Sequence, residues 1–71
     1  MTPADHLIAA WCRWETAPGD RARTYAKEDA IAATGLPGTW LHHTIAAHRR
    51  NGLSVPDAAQ AALHTESEAA A

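Results

Sequence analysis

The sequence contains no phenylalanine, one cysteine, one methionine and a single lysine among its 71 residues. Each shortage excludes something. With Cys12 alone, no intramolecular disulfide can form, and its place between Trp11 and Arg13 in an apolar stretch reads as a buried filler. No run approaches the roughly 18 apolar residues of a membrane span. The longest candidate, Leu7 to Cys12, is also too short and lacks the basic flank of a secretory signal, so a cytoplasmic chain is expected. Large apolar side chains are scarce as well. The hydrophobic share is 46%, yet more than half of it is alanine. The larger aliphatics are Leu7, Ile8, Ile31, Leu36, Leu41, Ile45, Leu53, Val55 and Leu63, joined by three tryptophans and one tyrosine. Such a chain fills one core, with the tryptophans expected as its main mass. Its stability is expected at about 3–5 kcal/mol, unless it dimerises or finds a partner.

Chemistry-bearing constellations are also sparse. His6, His42, His43, His48 and His64 include no pair at the i, i+4 spacing of metal-binding helices, and no second cysteine exists to complete a common zinc site. No nucleophile–base pair with an orienting group stands out, and no paired carboxylates sit in an apolar setting. Neither an enzyme nor a metal or cofactor site is therefore expected.

What is present is helical patterning. An all-α domain over residues 1–65, a tri- or tetra-helical bundle with a central helix-turn-helix, is expected, with 66–71 as a disordered tail. Thr2 and Pro3 open a first helix in which Leu7, Trp11 and Trp14 recur at i, i+4, i+7. It ends near Thr16, before the turn residues Ala17-Pro18-Gly19-Asp20. Arg21 to Arg23 read as a short basic connector, and Thr24 as the cap of a second helix over 24–34, closed by Gly35. A third helix over 38–50 follows, opened by Pro37 or Thr39, with Arg49 and Arg50 at its negative end and Asn51-Gly52 as its stop. Ser54-Val55-Pro56-Asp57 resembles a capping box for an Ala-rich fourth helix over 55–65.

Charge singles out the middle of this plan. The chain carries −2 overall, but residues 1–20 carry −2, residues 21–50 carry +3 and residues 51–71 carry −3. The positive third coincides with the helix-turn-helix. On a 100° wheel Leu41, Ile45 and His48 share one side of the third helix, flanked by Trp40 and Thr44. Thr39, His43, Ala46 and Arg50 lie opposite, with His42 and Arg49 on the shoulder. Ala30 and Ala33 permit a close crossing of the second and third helices, and Leu36, Leu41 and Ile45 pin them together.

The run Ala33-Thr34-Gly35-Leu36-Pro37, followed by Thr39, Leu41, His42 and Ile45, resembles the turn and recognition helix of bacterial IclR-type regulators and related winged-helix families. The resemblance covers roughly residues 30–52. It departs at Ile31, where the family usually has a small residue, and after Leu53, where a helical pattern replaces the two-stranded wing. It implies a recognition helix set in the major groove of double-stranded DNA. Thr39, His42 and His43 would face base edges, and Arg21, Arg23, Lys27, Arg49 and Arg50 would face phosphates.

Two functions follow as expectations. The leading one is a small DNA-binding regulator of phage or mobile-element type, a repressor or excisionase-like accessory factor, working as a homodimer or beside a larger protein. Its dimer elements would be the first helix, with Trp11 and Trp14, and the fourth. The alternative is a helical adaptor or inhibitor that docks an apolar Trp/Leu face, anchored by Trp40, on a protein partner.

Overall fold

The computed structural model describes residues 2–70, with side chains described for residues 2–66. The chain folds into four helices, α1 (Pro3–Glu15), α2 (Asp20–Thr34), α3 (Gly38–Arg50) and α4 (Val55–Ala70), with no strand among the described residues. α4 runs past the expected end near residue 65, so the tail expected over 66–71 begins on helix. The side chains of 67–70 and all of Ala71 lie outside the described residues.

Local chemistry accounts for the helix ends. At α1 the Thr2 hydroxyl oxygen accepts the Asp5 N–H, and the Asp5 carboxylate accepts the Thr2 N–H, each at 3.2 Å. This reciprocal box satisfies two otherwise orphaned donors. The hydrogen bonds from Thr2 hold the Asp5 carboxyl below its ordinary range. α2 starts four residues before Thr24, which corrects the expected 24–34 boundary. Extended Gly19 is its N-cap, and Asp20 lies in the first turn near the positive end of the dipole. Arg21 to Arg23 are therefore helical rather than a connector, and the Thr24 hydroxyl donates to the Asp20 carbonyl (2.9 Å) instead of capping.

α2 stops at Gly35, whose φ of 70° is left-handed and whose N–H donates to the Ile31 carbonyl at 2.7 Å. Only glycine adopts that conformation without a Cβ penalty. Gly35→Ala is accordingly expected to cost about 1–2 kcal/mol. A urea denaturation curve coincident with that of the wild type would refute this.

The core draws on every helix: Leu7, Ala10 and Trp11 from α1, Ala30 from α2, Leu41 and Ile45 from α3, and Val55, Ala58, Ala59 and Ala62 from α4. Leu7, Leu41 and Ile45 are its largest fully buried side chains. Of the three tryptophans, Trp11 belongs to this core and is its bulkiest side chain. Trp11 is buried, whereas Trp14 and Trp40 are partly buried and pack against the outside of the aliphatic cluster. With Trp14 and Trp40 at its margin, the rest of the core closes by close approach: Ala58, Ala59 and Ala62 bring the α4 backbone onto its neighbours. Cys12 is exposed rather than buried, because it lies round the helix from the Leu7, Trp11 and Trp14 stripe, on the side away from the core.

α2 packs chiefly along α1, and α4 packs on both α1 and α3. α2 and α3 share the least contact of the packed pairs, so the expected close crossing of these two helices is not what holds α3 in place. Leu41 and Ile45 anchor α3 in the common core. The α1 and α3 backbones stay apart and are joined by long side chains.

Candidate functional site

Along the outward face of α3, Thr39, His43 and Arg50 are exposed as the wheel predicts, whereas Ala46, expected beside them, is half-buried in a groove with Trp11 and Trp14. The start of this helix is unlike the other three. α1, α2 and α4 each carry an aspartate in the first turn, while α3 carries no acid there, and Pro37 at its N-cap makes no side-chain cap. Its first N–H groups thus have no capping side chain, at the positive end of the dipole. Lys27 reaches across from α2 to the same place. A Cβ on Gly38 would lie 2.8 Å from Lys27 Cε and 3.0 Å from Ile31 Cδ1, so glycine is what lets these side chains lie over the opening of α3.

The shoulder of α3 is occupied by α1. His42 is half-buried, its ring edge-on to Trp14 with centroids 5.2 Å apart and tilted to Trp11 at 6.1 Å. Trp14 in turn stacks on Trp11 at 5.0 Å and carries the Arg23 guanidinium 6.0 Å from its ring centroid, within cation–π range. One indole on α1 thereby orients a histidine of α3 and an arginine of α2. His43 lies beyond His42, ring centroids 6.2 Å apart.

Arg49 is the most committed cation on this side. Its Nε and Nη2 donate to the two carboxylate oxygens of Glu15, each at 2.8 Å, and its Nη1 donates to the Leu53 carbonyl at 2.9 Å. The pair ties the last turn of α1 to the last turn of α3 and to the α3–α4 connection. Beneath it lies a groove of about 390 Å³ lined by Trp11, Trp14, Glu15, Ala46, Arg49 and Arg50. The Arg49 hydrogen bond holds the Glu15 carboxyl below its ordinary value of 4.5, against a partial burial that would raise it. A carboxylate depressed in the folded state contributes stability that is present above its unfolded pKa and lost as pH falls through the folded one. The melting temperature should therefore fall as pH drops below about 4.5, and that fall should be shallower in Glu15→Gln. Identical pH profiles for the two proteins would show that the pair adds nothing to stability.

Of the expected phosphate contacts, Arg23, Lys27 and Arg50 reach the side bearing the outward face of α3. Arg49 reaches it already engaged. Arg21 does not join them: two residues from Arg23 on a helix, it points to nearly the opposite side of α2. Of the expected base contacts, Thr39 and His43 are open, and His42 is packed against indole. Trp40, the expected protein anchor, is partly buried against the core. Among the described residues the exposed large apolar ones are Tyr25 (57%) and Ile31 (36%). Among the described residues no group of three or more His, Cys, Asp or Glu is placed to hold a metal ion, and no helix is long and apolar enough to cross a membrane.

Sequence reasoning missed Glu15 and Gly38, and it gave Trp14 a role in dimerisation rather than its place against His42 and Arg23. Only Gly38 had a local signal, in its place between Pro37 and Thr39. The chain matches no protein-family model, no curated protein and no solved structure.

Proposed function

We propose that this protein binds double-stranded DNA, with α3 as the helix presented to the major groove. The observation that carries the reading is the N-terminal half of α3. There an uncapped helix start without an acid in its first turn, Lys27 folded over Gly38, and exposed Thr39 and His43 share one open surface. A helix N-terminus with a lysine beside it suits a backbone phosphate. Thr39 and His43, one turn apart, then supply hydroxyl and imidazole groups for base edges. Arg50 at the far end and Arg23 over Trp14 add cations along the same side. The IclR-like run Ala33–Pro37 supports the same docking, in a wingless form where α4 follows α3. A repressor or accessory factor acting beside a larger DNA-bound protein is the role that suits so small a surface.

The direct test is selection from a random duplex pool at low salt, followed by anisotropy titration of a retained duplex. Saturable binding that is lost in a Thr39→Ala/His43→Ala variant of unchanged melting temperature is the expected result. If no duplex is retained at low salt, the reading is wrong.

A second reading, a helical adaptor, rests on Tyr25 rather than Trp40. Tyr25 stands 57% exposed beside a cleft of about 380 Å³ between α1 and α2, lined also by Ala17, Pro18, Ala22 and Ala26. That face lies on the other side of α2 from Lys27, so Tyr25→Ala separates the two readings by sparing DNA binding.

A further inference from the structure

We propose that the Arg49–Arg50 edge of the Trp11/Trp14 groove is a phosphate-class anion site, occupied in the resting chain by the carboxylate of Glu15. The inference rests on the DNA reading for its biological ligand, but its chemistry stands apart from it. Glu15 presents two oxygens to the Nε and Nη2 of Arg49 at 2.8 Å each, the fork geometry in which a guanidinium also takes two phosphate oxygens. The side chain of Arg49 is fixed for this from behind by its bond to the Leu53 carbonyl at 2.9 Å, so the fork is preorganised. The pair is reachable from solvent, with 38% of the Arg49 side chain and 27% of the Glu15 side chain exposed. Arg50 stands beside it with no ion pair among the described residues. Ala46 keeps the floor of the groove low, and the α1 and α3 backbones leave the gap unfilled.

Of the other basic residues in this half of the fold, Lys27 and Arg50 are open to an incoming anion. Glu15 holds Arg49 out of that set. An arriving phosphate cannot share the fork with the internal carboxylate, so Glu15 closes Arg49 to it for as long as the pair holds. A change that draws Glu15 away would convert Arg49 from a clamp between helices into a ligand contact.

The test follows the arginine Nε–Hε resonances of isotopically labelled protein during titration with inorganic phosphate, for the wild type, Glu15→Gln and Glu15→Ala, each checked for helical content. In the wild type, phosphate is expected to shift Arg50 and leave Arg49 unmoved, whereas in both variants Arg49 should shift with Arg50. A wild-type Arg49 that responds as Arg50 does would overturn the proposal, as would an Arg49 that stays silent in both variants. In parallel, duplex binding by Glu15→Gln should steepen its salt dependence by about 0.9 in log–log slope, one added phosphate contact. If Arg49 becomes phosphate-responsive while no protein binds duplex, the anion site stands and the DNA reading fails.

Discussion

Ile45→Ala is expected to lower the melting temperature by roughly 10–30 °C. Ile45 is fully buried, as are Leu7 and Leu41 in the same core. Removing three carbons there costs about 2–5 kcal/mol, because lost transfer energy is joined by a cavity that rigid neighbours cannot close. The same core draws Ala58, Ala59 and Ala62 from α4, and alanine has no longer side chain to swing into a space. A domain of this size holds only about 3–5 kcal/mol in total. The substitution therefore removes most of its stability, and thermal unfolding followed by circular dichroism should show a broad transition at low temperature. Ile31→Ala is the matched control. Ile31 is exposed, and its loss should stay within about 1 kcal/mol. Equal shifts for the two variants would mean that α3 is not anchored through the common core.

How far the fold could be read from the chain depended on where large side chains fall. α1 and α3 were legible to within a residue because Leu7, Trp11 and Trp14, or Leu41 and Ile45, mark one face at helical spacing, and because Thr2-Pro3 opens α1 and Asn51-Gly52 closes α3. α2 was misread at its start because its inward face is made of Ala22, Ala26 and Ala30, a stripe that looks no different from helix-forming filler. With no large apolar residue before Tyr25, the basic triplet from Arg21 to Arg23 passed for a loop. The site divides in the same way. That Thr39, His43 and Arg50 face outward follows from periodicity alone. The partners of His42 and Arg49 do not, since Trp14 and Glu15 lie on another helix, and Arg49 and Glu15 are 34 positions apart. Nor could the wheel reveal that α3 leans on α4 more than on α2. That depends on alanines in α4 small enough to admit it, which a pattern of polar and apolar letters scarcely registers.

If α3 docks on duplex DNA, a fourfold rise in salt is expected to weaken the complex by roughly fortyfold. The figure follows from three cations that face the groove side, Arg23, Lys27 and Arg50, each releasing counterions with a slope of about −0.9 per phosphate neutralised. Replacing Lys27 and Arg50 together with alanine should leave a slope near −0.9 and reduce the same salt effect to about three- or fourfold. Two further variants make the prediction specific to this geometry. Arg21→Ala removes an equal charge from the far side of α2 and should leave the slope unchanged. Arg49→Ala should also leave it unchanged, because Glu15 already engages that guanidinium, although the lost clamp should lower the melting temperature. Net charge alone would make all these substitutions equivalent per residue, since the chain carries −2 and any lost cation deepens it equally. A slope that falls by the same amount for Arg21 and Arg49 as for Lys27 and Arg50 would therefore point to diffuse attraction and remove the assigned face. A slope that responds only to Lys27 and Arg50 would place the phosphate backbone along the open side of α3, from Lys27 over its uncapped start to Arg50 at its end.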